Sequence, residues 1–133
     1  MSGWILDKSV ASRFGDENVM QQLLAIEGTL FICEIGLLEQ LYSARSASDY
    51  DKLERELRAA FDVLPAPPEA LQLAQSLQRK MAHHRGLWHR RPIPDLLIAV
   101  TALHHDVGVI HADNDFSLIA QVTGLVTQKI EVA

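Results

Sequence analysis

The chain has 133 residues, 48% of them apolar and 22% charged, which is the length and make-up of one globular domain and excludes a disordered chain. No apolar run approaches the ~20 residues of a membrane-spanning helix, because Asp, Glu, Arg or His interrupts every stretch. The net charge is −5, and a single cysteine, Cys33, excludes an internal disulfide and a Cys-only zinc site. Residues 1–7 carry neither the basic segment nor the long apolar run of a signal peptide, so a reducing, cytoplasmic setting is expected. Cys33 is expected to be a small core residue.

In chain order, Trp4, Ile5 and Leu6 form a short apolar run that stops at Asp7, long enough for a buried strand and too short for a helix. Residues 9–13 lead into Asp16, Glu17 and Asn18, which suit a helix start. Val19, Leu23 and Leu24 follow at helical spacing, and Gly28 is placed to close that helix. The β-prone residues 29–32 make a second strand. A largely buried helix follows over 34–44, with Ile35, Leu37, Leu38, Leu41 and Tyr42 as its apolar side. Residues 46–49 make a break and cap before a helix over 50–61, where Leu53, Leu57 and Phe61 recur every four positions.

Residues 62–65 read as a short strand or connector. Pro67 and Pro68 open a long helix reaching about residue 84, with Gly86 as its stop. Pro92 and Pro94 lead rigidly into the most apolar helix, 95–105. A strand over 107–111, a helix over 114–122 and an edge strand over 129–132 complete the chain. Strands alternating with helices imply a mostly parallel sheet covered on both faces. The expected fold is a three-layer α/β/α sandwich with four to five strands, one domain over residues 1–133.

In an open sheet of this kind, ligands bind beyond the carboxyl ends of the strands, near a reversal of strand order. Asp7 stands after the first strand, Asp113 just past the strand ending at His111, Asp115 two residues on, and Asp95 at the start of the buried helix. Each also has an ordinary reading. Asp7 and Asp95 suit helix caps, worth about 1 kcal/mol each, and Asp113 suits a turn. Ser9 is equally consistent with a cap or with a hydrogen bond to a metal ligand. Glu34 fits the first turn of a helix, where the dipole favours an acid. Glu39 is harder to explain structurally, since it lies mid-helix between Leu38 and Leu41. A buried unpaired carboxylate must pair, shift its pKa or hold a cation.

Carboxylates converging without cations repel one another, and a hard divalent cation such as Mg²⁺ relieves that through oxygen ligands. Histidine sites are disfavoured: His83 with His84 and His104 with His105 are adjacent pairs that point roughly 100° apart on a helix, since each residue advances 1/3.6 of a turn. A calcium loop starting at Asp113 fails, because Leu118 and Gly124 stand at its obligatory glycine and glutamate positions. Over residues 79–91, Arg79, Lys80, Arg85, Arg90 and Arg91 stand with no acid among them, leaving 7 basic against 17 acidic residues elsewhere. That strip suits either a solvated helix end or local contact with a polyanion.

Four motifs in order, Asp7-Lys8-Ser9, Leu38-Glu39-Gln40-Leu41-Tyr42, Ile93-Pro94-Asp95-Leu96 and His111-Ala112-Asp113-Asn114-Asp115-Phe116, make the chain resemble a PIN domain. More narrowly, it resembles the VapC-type toxins of bacterial toxin–antitoxin pairs, especially the actinobacterial kind. The resemblance implies a Mg²⁺- or Mn²⁺-dependent endoribonuclease that uses an activated water and leaves a 5′-phosphate and a 3′-hydroxyl. It assigns Asp7, Glu39, Asp95 and Asp113 to the metal, and Asp115 to a further catalytic acid that acts through water. Asp95 or Asp115 would accept the proton of the attacking water. Ser9, Arg79, Arg85, Arg90 and Arg91 would contact substrate, and Trp88 would stack on an unpaired base or contact a partner. Implied partners are RNA, a VapB-type antitoxin and a second copy of the chain. The antitoxin groove is expected around the helices carrying Leu53 to Phe61 and Leu71 to Leu77. Competing readings are another metal-dependent phosphoesterase or DNase on the same sheet, and a non-catalytic PIN-like binding module.

Overall fold

Successive strand residues face opposite apolar layers, as the two-residue period of a strand requires. Ile5, Phe31, Cys33, Leu64 and Val109 join one cluster, while Trp4, Leu6, Leu30, Ile32, Val63 and Ile110 join the other. In the computed structural model, which describes residues 2–132, these strands form one five-stranded sheet. They are β1 (Gly3–Leu6), β2 (Thr29–Cys33), β3 (Asp62–Leu64), β4 (Gly108–His111) and β5 (Thr127–Lys129), all parallel, in the order β3-β2-β1-β4-β5. The single domain expected over 1–133 begins and ends on residues outside those described.

From β1 the chain moves outward through α1 (Lys8–Ala11), α2 (Glu17–Leu24), β2, α3 (Glu34–Leu41) and α4 (Ala47–Ala60) to β3. Val10, Val19, Leu23, Leu37, Leu41, Leu57 and Phe61 of these helices and their ends cover one face. It then returns through α5 (Ala70–His84) and α6 (Ile93–His105) to β4, and through α7 (Asp115–Thr123) to β5. Leu77, Met81, Ile98, Ala102, Phe116 and Ile119 cover the other face. The helices change face where the strand order reverses, as right-handed crossovers demand. The reversal lies between β1 and β4, so their carboxyl ends open the crevice. No helix among the described residues is long and apolar enough to cross a membrane.

Three local expectations are corrected. Gly28 does not close α2, which ends at its cap Ala25; instead Gly28 takes φ +121° in the turn into β2, where a Cβ would sit 3.2 Å from both Ser2 O and the Trp4 ring. The last strand is Thr127–Lys129 rather than 129–132. Beyond it the Gln22 side chain accepts from Glu131 N at 2.9 Å and donates to Glu131 O at 2.7 Å, so an amide replaces a strand partner. Residues 47–49 belong inside α4, capped by Ser46, whose hydroxyl accepts from Asp49 N at 3.0 Å. Cys33 is fully buried, and burial pushes its thiol up to about 11, which makes it an inert core residue.

Candidate active site

Asp7 is placed by the end of β1: its backbone N–H donates to Ile110 O of β4 at 3.0 Å, and its side chain is buried. Ser9 Oγ donates to Asp7 Oδ2 at 2.7 Å and accepts from Ala112 N at 3.2 Å, tying the carboxylate to both strands beside the reversal. Asp7 Oδ2 also accepts from Ser9 N at 3.3 Å, so the ordinary capping role and the site role coexist in one side chain. Asp113 behaves likewise, accepting from Asp115 N at 3.1 Å at the start of α7. Fully buried His111 fixes that turn through Nδ1, 2.7 Å from the Asp113 carbonyl oxygen. Asp95 lies in the first turn of α6, buried and not serving as its cap.

Asp7, Glu39, Asp95, Asp113 and Asp115 line one cleft of about 340 Å³, with Lys8, Ser9, Ser12, Arg13 and Pro92. The tightest group is Asp95, Asp113 and Asp115, which each bring one carboxylate oxygen within 4.8 Å of the others. At an effective dielectric of about 20, two such charges repel by about 3 kcal/mol. Burial, then Asp7, Asp113, Asp115 and Glu39, push Asp95 up to about 8. Burial and Asp7 also raise Glu39, against the pull of Lys8, and burial and Asp7 raise Asp113. Glu39 Oε1 is buried without a hydrogen-bond partner, a deficit of about 1–3 kcal/mol for a polar atom. An orphaned carboxylate oxygen beside converging oxygen donors fits a hard divalent cation.

The basic residues divide. Arg91 reaches the acids, with Nη1 donating to Asp115 Oδ1 at 2.7 Å. Arg79, Arg85 and Arg90 are exposed on α5 and the following loop and do not line the cleft. Trp88, expected to stack on a base or contact a partner, has the Arg85 guanidinium 5.1 Å from its centroid and His84 at 5.2 Å. Glu34 is structural, as expected, although through a tether rather than the dipole alone: Oε1 accepts from Ala66 N at 2.7 Å. Sequence reasoning missed Arg13 as a rim residue and His111 as the prop of Asp113. The available signals were the four-residue spacing of Arg13 from Ser9 and the position of His111 two residues before an acid.

The comparisons agree with this geometry. The PIN domain family model matches residues 4–122. Ribonuclease VapC17 of Mycobacterium tuberculosis is 50% identical over 122 residues, covering 92% of this chain and 90% of the relative. Ribonuclease VapC51 of the same organism is 38% identical, covering 91% and 88%. In fold, a chain of VapBC2 from Rickettsia felis, solved with a promoter DNA fragment, superposes with a TM-score of 0.74 at 16% identity, over 97% of this chain and 99% of that one. The chain therefore belongs to the PIN-domain family, among the VapC ribonucleases.

Proposed function

We infer that this chain hydrolyses phosphodiester bonds of RNA with the help of a divalent cation, Mg²⁺ or Mn²⁺, and that a VapB-type antitoxin restrains it. The observation that carries this reading is the convergence of five carboxylates from four separate segments in one cleft at the sheet reversal. Gathering acids partly out of water is opposed by both mutual repulsion and desolvation, and Asp7 and Asp95 of this group are buried.

Asp7, Glu39, Asp95 and Asp113 are the residues we assign to the cation, with Ser9 orienting Asp7 and His111 holding the turn of Asp113. A bound cation would neutralise the acids and polarise both the attacking water and the phosphodiester. Without it, an RNA phosphate would meet a cleft of its own sign. Asp95 and Asp115 are our candidates for accepting the proton of the attacking water. The Asp95 carboxyl, pushed up to about 8 in the metal-free cleft, would be brought down by a bound cation and so freed to ionise near neutral pH. Lys8 and Arg13 on the rim, and Arg79, Arg85 and Arg90 beyond it, supply positive charge for flanking phosphates. Trp88, already stacked with Arg85, would add an aromatic face by trading that contact for a base. As in the family it resembles, the chain would pair with a second copy and take the antitoxin in a groove along α4 and α5.

RNA and DNA oligomers of equal sequence, incubated with the chain in Mg²⁺, Mn²⁺ or EDTA, test the reading. RNA should be cut in either metal and not in EDTA, to 5′-phosphate ends, and Asp7→Asn should abolish cutting. Preferential DNA cleavage or release of phosphate from monoesters would move the chain to another phosphoesterase class. Binding of RNA without cleavage under any metal would make it a non-catalytic module.

A further inference from the structure

Among the described residues, one ion pair reaches the acid cleft, and it differs from those elsewhere on the molecule. Arg91 Nη1 donates to Asp115 Oδ1 at 2.7 Å, with side chains only 22% and 24% exposed. The pairs on α4 keep side-chain exposures from 37% to 69%. Arg91 precedes Pro92 of the cleft wall but does not itself line the cavity, so it acts on Asp115 from behind. Asp115 in turn donates its backbone N–H to Asp113 Oδ1, which places Arg91 one residue away from an assigned ligand.

The geometry poses a conflict. Asp115 belongs to the tightest carboxylate group of the cleft, yet one of its oxygens is spent on a guanidinium. A guanidinium presents its donors in a rigid fork matched to a carboxylate, so this partly buried pair is a standing contact rather than a passing one. A divalent cation drawn to Asp115 would meet that fixed positive charge. We propose that Arg91 is a positioning residue that takes Asp115 out of the metal-ligand set and compensates its charge, leaving Asp7, Glu39, Asp95 and Asp113 to hold the cation. The inference rests on the metal-dependent reading above and makes Arg91 part of the site's electrostatics rather than a free phosphate-binding residue.

Calorimetric titration of Mn²⁺ into the full chain tests it, with folding of each variant checked by circular dichroism. The charge-balanced double variant Arg91→Met with Asp115→Asn should bind Mn²⁺ within about threefold of the original chain. Asp113→Asn should lose more than about tenfold, since a direct ligand should cost at least as much as the outer-shell partner of one. Arg91→Met alone frees a carboxylate and should tighten Mn²⁺ binding roughly tenfold, mid-range for two ionic groups in contact. Arg91→Lys keeps the charge and should stay within about threefold. A double variant that weakens as much as Asp113→Asn makes Asp115 a ligand and overturns the inference alone, as does Arg91→Met without tighter binding. An original chain that takes up no Mn²⁺ overturns both this inference and the metal-dependent reading.

Discussion

Helix α4 and the cleft each concentrate charge, on opposite terms. On α4, Lys52 and Glu56 lie 4.0 Å apart and Glu54 and Arg58 3.1 Å apart, each pair one helical turn apart and well solvated. In the cleft, five acids from β1, α3, α6 and the β4–α7 turn meet partly out of water, with Arg91 as the one bonded counter-charge among the described residues. The first arrangement is local and nearly free of energetic cost. The second is long-range and self-repelling, with relief from within the chain confined to Arg91 at Asp115 and the pull of Lys8 on Glu39. What a carboxylate does is decided by the company that the fold gives it, and the two regions should respond to substitution in opposite ways.

The largest contrast is expected at Asp95. Asp95→Asn keeps the shape of the protonated side chain while removing its charge, so it should cut RNA hydrolysis on the order of 10³-fold or more. The same change should raise the melting temperature of the metal-free chain at neutral pH by a few degrees, since Asn folds without the proton uptake that Asp95 requires there. Fluorogenic RNA cleavage and thermal melts in EDTA measure the two effects. Loss of activity with gain of stability is the signature of a functional acid; retained cleavage would remove Asp95 from the reaction.

Next in size is a pH effect. Asp95 titrates from an ordinary 3.8 when unfolded and is pushed up to about 8 when folded. Between those values the folded chain holds a proton that the unfolded chain has lost, so stability declines as pH rises. In EDTA the melting temperature should therefore fall from about pH 4 to about pH 8, with Glu39 and Asp113, raised in the same direction, adding to the decline. Asp95→Asn should flatten the decline. Mg²⁺ or Mn²⁺ should flatten it too, and should bind more tightly toward pH 8 as the carboxyl group gives up its proton. A metal-free chain that gains stability over that window would contradict the burial and repulsion assigned to Asp95.

The same contrast explains what could be read from the sequence. Alternation of apolar strands with periodic helices depends on neighbours a few positions apart, so the three-layer fold and most element positions were legible. The five acids were legible as candidates because each follows a strand or sits in an apolar helix. The bond from Ser9 to Asp7 spans two positions and is among the roles open to Ser9 from the start. The mutual repulsion of the acids, the bond from Ala112 to Ser9 and the pairing of Arg91 with Asp115 link residues far apart in sequence, and only the folded chain brings them together. Arg91 therefore read as one cation in a basic strip. Gly28 read as a helix stop because its real constraint, the Trp4 ring, lies on another strand. Residues 129–132 read as a strand because nothing local announces the Gln22 amide.

A moderate effect is expected where the two kinds of charge meet, in the strip beyond the cleft. Arg79, Arg85 and Arg90 are exposed and outside the ion pairs of the described residues, so they resemble α4 in solvation and the cleft in proposed role. Replacing each with Ala should weaken RNA binding by roughly two- to tenfold and reduce the salt dependence by about one unit of log–log slope per lost phosphate contact. Melting temperature and Mn²⁺ affinity should barely change. Filter binding over a salt series measures this, and an unchanged slope for all three variants would return the strip to a solvated helix end.

The smallest effect is expected on α4 itself. Glu54→Gln breaks the 3.1 Å pair with Arg58, yet both partners remain in water, where the interaction is weak and screened. The cost should be about 0.3–0.5 kcal/mol at low ionic strength and should vanish near 1 M NaCl. RNA cleavage should be unaffected. Thermal melts at the two salt concentrations provide the measurement. A loss well above 1 kcal/mol, or one that persists at high salt, would mean that α4 charge is also held out of water, and the division between a solvated helix face and a self-repelling acidic cleft would have to be redrawn around α3 and α4 together.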